Sequence, residues 1–226
     1  VSADPAASLG PAARESLRTV LELLAVERAS VSSVVDERAW QVHVADSLSG
    51  LDLDELREAR RIADVGAGAG FPGLVLAVAL PKARIDLIES VARKCDFMDR
   101  AIEAAGIANA TVLNTRSEDW ASADGHEAYE AVTARAVGRL STLAELASPL
   151  LKPNAFLVAW KGKRDQEEEE QLERAVEALA MRQEKVLDVG DRAGSKHRHL
   201  HLIRKIGPTP TDLPRRPGMA KKRPKG

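Results

Sequence analysis

The chain has 226 residues, 33 Lys and Arg against 34 Asp and Glu, 44% hydrophobic residues and 3% aromatics, enough for one large or two small domains built on an aliphatic core. Its single cysteine, Cys95, excludes an internal disulfide and any multi-cysteine zinc site, and the longest apolar run, Leu74 to Leu80, is too short for a membrane span. The opening VSADPAASLGPAARESL contains no apolar h-region, so a secretory signal is not expected and a cytoplasmic location is.

Pro11 followed by AARESLRTVLELLAVERA predicts a helix, with Leu17, Val20, Leu21 and Leu24 on one face. A second helix is expected from Asp36, a good N-cap, through WQVHVADSL. From Arg61 short apolar runs alternate with helical patterns. IADVG leads through a Gly-rich turn into a helix ending at Leu80; RIDLIE precedes a helix over Val91–Ala105; ATVLN precedes a short helix near Asp119. YEAVTA is followed by a helix from Leu140, and NAFLVAWK by one from about Asp165 to Arg182. The acidic run 165–170 suits the first turn of that helix, where its dipole favours negative charge. KVLDV and HLHLIRK then follow as an antiparallel hairpin. Repeated βα units build a parallel sheet covered on both faces, so an α/β, doubly wound, mostly parallel seven-stranded fold is expected. The expected organisation is a helical extension over 1–60, a ligand-binding core over 61–206, and a basic, proline-rich tail over 207–226 that does not pack as a domain. From Arg192 onward there are eleven Lys or Arg and one acid, which leaves 22 bases and 33 acids on the rest; a polyanionic partner met through that end is implied.

The strongest local signal is Asp64-Val65-Gly66-Ala67-Gly68-Ala69-Gly70-Phe71-Pro72-Gly73, placed between a buried-type strand and a helix. Small residues there allow close backbone approach to a ligand. Glu89, 23 residues after Gly66, ends the next strand, where a carboxylate can take ribose hydroxyls. Gly68 to Gly73 satisfies the G-x-G-x-x-G dinucleotide pattern, yet it is Gly66 that leaves the strand, and Pro72 removes an amide that would otherwise donate to phosphate. S-adenosylmethionine carries no phosphate, and its methionine end could meet the loop amides and Asp64. A methyl donor fits better than a dinucleotide.

With these residues in view, the chain resembles the bacterial small-subunit ribosomal RNA guanine-N7 methyltransferases, a family also called glucose-inhibited division protein B. DVGAGAGFPG is similar to that family's glycine loop, and His43-Val44-Ala45-Asp46-Ser47-Leu48 to its His-x-x-Asp-Ser-Leu. Arg116-Ser117-Glu118-Asp119, Thr133-Ala134-Arg135-Ala136, Lys161-Gly162-Lys163, Arg198-His199-Leu200 and Pro214-Arg215-Arg216-Pro217-Gly218 follow in family order, so the likeness covers roughly residues 17–226. It implies a class I methyltransferase fold and methyl transfer from S-adenosylmethionine to N7 of one guanine. The cofactor residues it implies are Gly66 and Phe71 in the loop, Glu89 at the ribose, Ser117 and Glu118 beside adenine, and Arg135; the loop pattern itself adds Asp64, Gly68 and Gly70. The chain departs from the family at Val42, where many members have Arg, and at His201, where an aliphatic residue is usual.

N7 of guanine has a free lone pair and no proton, so alignment rather than a general base is required, and no catalytic acid or base is assigned. RNA contact is expected from His43, Asp46, Ser47, Lys161, Arg198, Arg215 and Arg216, with small-subunit ribosomal RNA or the subunit as partner. Read alone, His43 and Asp46 are a helix-packing pair, Cys95 is a structural thiol, and alternating His197, His199 and His201 lack the further ligands a metal would need. A monomer is expected, without metal or membrane partners. A small-molecule methyltransferase, a nicotinamide-dependent oxidoreductase and a non-catalytic RNA-binding protein stay open as alternatives.

Overall fold

A computed structural model describes residues 9–27, 32, 34, 38–190 and 197–226. Helix α1 (Pro11–Val26) begins at its proline and buries Leu17, Val20 and Leu24. The second helix takes an irregular form: a wide π turn over Trp40–Ala45, one α turn (α2, Asp46–Leu48), a tight turn over Ser49–Asp52, then α3 (Asp54–Arg57). Its expected cap, Asp36, lies outside the described residues.

The core alternates strands and helices as β1 (Arg61–Val65), α4 (Gly73–Ala79), β2 (Arg84–Glu89), α5 (Ala92–Ala104), β3 (Ala110–Asn114), α6 (Ser117–Ala121), β4 (Tyr129–Arg135), α7 (Leu140–Ala147), β5 (Leu151–Lys161) and α8 (Gln166–Ala175). β6 (Met181–Asp188), β7 (His199–Lys205) and α9 (Met219–Lys222) complete the chain. The seven strands lie in the order β3-β2-β1-β4-β5-β7-β6. The first five are parallel, and β7 runs antiparallel between β5 and β6, so the doubly wound fold expected above is the fold adopted. The order reverses at β1, which opens a crevice beyond the carboxyl ends of β1, β2 and β4.

Strand parity sorts the core. Ile62, Ile85 and Leu87 join Leu17, Leu24, Leu48 and Phe97 on one face, whereas Ala63, Val65, Val132 and Leu157 join Leu143 and Leu172 on the other. The N-terminal helices thereby supply part of the same core as β1 and α4.

Helix α8 ends seven residues before the expected boundary. Asp165 caps its start by accepting from the Glu168 amide at 3.3 Å, and the acidic run forms its first turn. A short 3-10 turn over Glu177–Leu179 and a left-handed Ala180 (φ 51°) then reverse the chain into β6. The C-terminal tail, expected to form no domain of its own, packs against the core. Leu213 and Ala220 are buried, and the segment crosses α6 and α7 to reach the crevice. Two apolar anchors and a buried ion pair outweigh the proline-rich composition.

Candidate active site

A cleft of about 180 Å³, partly open to solvent, lies at the carboxyl ends of β1 to β3. Val65 and Gly66 form its floor, with Ile88, Glu89 and Ser90 beside them. Thr115 to Glu118 make one wall, Val137, Thr142 and Leu146 another, and Gly218, Ala220 and Lys221 close the remaining side. The structure therefore brings together Gly66, Glu89, Ser117 and Glu118 of the expected cofactor set. The tail residues at the cleft were missed. Their one signal is Gly218 in a Pro-Arg-Arg-Pro-Gly block, of which the sequence reading gives a role, RNA contact, to Arg215 and Arg216 alone.

The glycine loop is fastened from both sides. The Gly66 and Ala67 amides donate to the Ile88 carbonyl at 2.9 and 3.1 Å. Gly66 sits at φ +65°, and a Cβ there would stand 2.7 Å from Val137 Cγ2, so only glycine keeps the floor low. Asp64, expected to meet the ligand, lies beneath the loop instead. It is 1% exposed and is not among the cleft's lining residues. Its Oδ2 accepts from the Gly73 amide at 2.9 Å and its Oδ1 from the Thr133 hydroxyl at 2.8 Å. Strand parity points it, like Ile62, toward α4. Burial pushes its carboxyl up to about 6, against the opposing pull of those two hydrogen bonds. Gly68 and Gly70 shape the turn without lining the cleft.

Glu89 lines the cleft, held by backbone amides and 3.9 Å from the Lys94 ammonium. Its Oε1 accepts from Ser90 and Val91 at 2.8 and 2.9 Å, and its Oε2 accepts from Gly68 at 3.1 Å. Ser117 Oγ donates to Glu118 Oε2 at 3.2 Å, while Glu118 Oε1 accepts the Gly218 amide at 2.8 Å. Two carboxylates around an uncrowded glycine floor suit a ligand rich in hydroxyl and amino donors and carrying positive charge. They do not suit a pyrophosphate. S-adenosylmethionine fits this donor set.

Cys95 is buried against the Glu89 carbonyl at 3.3 Å, and burial raises its thiol pKa, as a structural role requires.

A second cluster sits on the α4 side of the loop. The His43 ring stacks on Phe71 with centroids 4.4 Å apart. Arg135 donates to the Val42 carbonyl at 2.9 Å and to Asp46 Oδ2 at 2.8 Å. It stands 3.2 Å from His43 Nδ1 and 5.8 Å above the Phe71 ring. Those contacts make Nδ1 the acceptor and leave Nε2–H to donate to the Val34 carbonyl at 2.9 Å. Burial lowers the His43 pKa, the Val34 bond works the other way, and Arg135 adds to the lowering. Asp46 is fully buried and also meets Arg198 Nε at 2.7 Å, a charge contact without hydrogen-bond alignment. Trp160 Nε1 donates to the Asp46 carbonyl at 2.8 Å and so ties the end of β5 to this segment.

The remaining expected site residues stand as follows. Arg135 does not line the cleft; its guanidinium is occupied by Asp46 and Val42, neither of which is near in sequence. His43, Asp46 and Ser47 are buried and cannot meet a phosphate where they stand. Lys161 is held by Glu168 Oε1 at 2.6 Å and the Gly138 carbonyl at 2.9 Å, and Arg215 by Glu145. Arg216 is exposed. His199 Nδ1 contacts the His197 and Gly162 carbonyls, whereas His201 is buried with Nδ1 unpartnered, so the three histidines form no joint surface. Among the described residues no group of three His, Cys, Asp or Glu could hold a metal, and no helix is long and apolar enough to cross a membrane.

Residues 19–201 match the model of the family described as rRNA small subunit methyltransferase G. The chain belongs to that family. Among curated relatives, the ribosomal RNA small subunit methyltransferase G of Rubrobacter xylanophilus is 39% identical over 94% of this chain and 85% of its own. The methyltransferase G of Bacillus subtilis is 31% identical over 98% and 95%. Solved structures agree in fold: a SAM dependent methyltransferase from Aquifex aeolicus superimposes with a TM-score of 0.57 at 20% identity, covering 76% of this chain and 94% of that one. Aeropyrum pernix fibrillarin with natively bound S-adenosyl-L-methionine gives 0.56 at 14% identity, covering 70% and 73%.

Proposed function

We infer that the chain transfers the methyl group of S-adenosylmethionine to N7 of a guanine in small-subunit ribosomal RNA. The observation that carries this reading is the joining of Gly66, Glu89, Ser117 and Glu118 in one cleft of a methyltransferase G family member. The cofactor supplies an electrophilic methyl on a sulfonium. Glu89 takes the ribose hydroxyls, Ser117 and Glu118 flank the adenine, and the loop from Gly66 to Gly70 supplies the floor. Asp64 fixes the loop from below by holding the Gly73 amide, and the His43–Phe71 stack with Arg135 braces its far side. No residue has to remove a proton, because N7 attacks through its own lone pair. The residues instead align the donor and acceptor and exclude water.

RNA contact falls to bases that are exposed rather than internally paired. Arg216 and Lys222 are exposed near the cleft, and Arg223 is exposed, its amide donating to the Met219 carbonyl and its carbonyl accepting from Arg215. Phosphate contacts of this kind set affinity and make it salt-dependent. The guanine is reached by extrusion into the cleft, and the enzyme acts as a cytoplasmic monomer. The test is transfer of labelled methyl to small-subunit RNA and to small subunits isolated from cells lacking the gene, followed by nucleoside analysis. One new 7-methylguanosine is expected. Absence of transfer in every assembly state, or binding of a nicotinamide dinucleotide in place of S-adenosylmethionine, would overturn the assignment.

A further inference from the structure

The cleft's last side is made by the C-terminal segment, and one carboxylate on α7 fastens that segment. Glu145 is 3% exposed. Its Oε1 and Oε2 accept from Arg215 Nε and Nη2, each at 2.6 Å, and its Oε2 also takes the Lys225 amide at 3.3 Å. Arg215 Nη2 donates as well to the Arg223 carbonyl at 2.7 Å. A single guanidinium–carboxylate fork thus pins both ends of the stretch 215–225. Between the pinned ends the Gly218 amide reaches Glu118 and the Ala220 carbonyl accepts from Thr142 Oγ1 at 3.2 Å, which sets Gly218, Ala220 and Lys221 against the cleft. Neither Glu145 nor Arg215 lines the cleft itself. Planar two-point pairing of this kind is stronger and more directional than any contact a lysine could make.

We propose that Glu145 and Arg215 are positioning residues for the cofactor, clamping the C-terminal segment as a wall of the S-adenosylmethionine site. The proposal rests on the functional reading above. Neighbouring arginines then have separate tasks: Arg215 turns inward and serves cofactor retention, while exposed Arg216 serves RNA. If the wall is in place only a fraction of the time, apparent cofactor affinity falls by that fraction, with no contacting atom removed.

The test is calorimetric titration of S-adenosylhomocysteine and S-adenosylmethionine into the full chain, with KM, kcat and RNA affinity measured alongside. Arg215→Ala and Glu145→Gln should weaken cofactor binding at least ~10-fold and raise KM for S-adenosylmethionine in parallel. At saturating cofactor kcat should stay within about twofold, since the reacting atoms are untouched. Arg215→Lys should fall between, and the reversed pair Glu145→Arg with Arg215→Glu should recover part of the loss. Arg216→Ala should do the opposite, weakening RNA binding at low salt and leaving cofactor affinity alone. Near-wild-type cofactor affinity in a folded Arg215→Ala variant overturns the proposal. So does a variant in which cofactor affinity, kcat and RNA affinity all decline together, which would mark general destabilisation. Should Glu145→Gln fail to fold, the partly exposed Arg215 series decides alone. If the unaltered chain binds no S-adenosylmethionine, it is the functional reading that fails.

Discussion

Asp46 offers the sharpest check on the distinction between buried charge and RNA contact. It carries one negative charge at full burial, facing Arg135 with a side chain 11% exposed and Arg198 with one 20% exposed. Asp46→Asn keeps the shape and one acceptor oxygen but leaves two guanidinium groups without their counter-charge. Removing one partner of a buried pair costs about 3–5 kcal/mol, and the residual exposure of the arginines argues for the lower end, about 3 kcal/mol. For a domain of this size each kcal/mol shifts Tm by about 2–4 °C, so a drop of about 6–12 °C is expected in a thermal melt followed by circular dichroism. Combining it with Arg198→Met should cost less than the sum of the two single changes, because the second change removes a charge the first has stranded. RNA affinity, measured well below the new Tm, should be unchanged. A Tm within 2 °C of the unaltered chain, or RNA binding lost with Tm intact, would refute this reasoning and return Asp46 to the RNA-binding surface.

The other predictions concern pH, the loop and the tail. The Asp64 pKa is raised on folding to about 6, so the native state holds its proton more tightly and this group's contribution to stability declines as pH rises from about 4 to 6; urea titrations should find that decline, of order 3 kcal/mol, abolished in Asp64→Asn. His201, whose pKa burial lowers to about 4, acts in the opposite sense. Its neutral ring is protonated on unfolding, so stability should fall as pH drops from about 6.5 to 4, and His201→Leu should flatten that limb. Gly66→Asp places a side chain at φ +65° against Val137 and should abolish cofactor binding by calorimetry while near-ultraviolet circular dichroism stays native-like. Replacing Arg216, Lys222 and Arg223 by Ala should flatten the plot of log affinity against log salt by about 2, at about 0.7 per single-strand phosphate contact; an unchanged slope would remove the tail from the RNA interface.

The strands were legible because their apolar runs are bounded by charged or turn residues: HLHLIRK is β7 residue for residue. β6 begins earlier than KVLDV suggests, because Met181-Arg182-Gln183 is polar on one side and looks like the end of a helix. At the site, the position of Glu89 at the end of the second strand was legible from its spacing after Gly66, whereas Ser117 and Glu118 were indicated by the family resemblance alone; the structure sets all four on one cleft. For Asp64 the sequence shows a place next to the loop, whereas only strand parity tells that it faces the α4 side and holds the Gly73 amide. The ion pairs of Arg135 and Arg215 were not legible for another reason. Their partners, Asp46 and Glu145, lie 89 and 70 residues away, and no local pattern announces a pairing at that separation. The tail read as unstructured because composition averages over it and gives no weight to Leu213, Ala220 and one ion pair.

Lys205, at the end of β7, is wholly buried, with its ammonium satisfied by Glu127 Oε1, the Ser148 and Leu151 carbonyls and the Thr209 hydroxyl at 2.6 to 2.9 Å. The chain therefore leaves the sheet from a riveted point rather than from a hinge. On the proposed reading, nucleic acid arriving at the cleft would meet a preset array of cations instead of a whip that must be stilled. The ordering entropy that a loose basic arm would surrender on association has already been spent in folding.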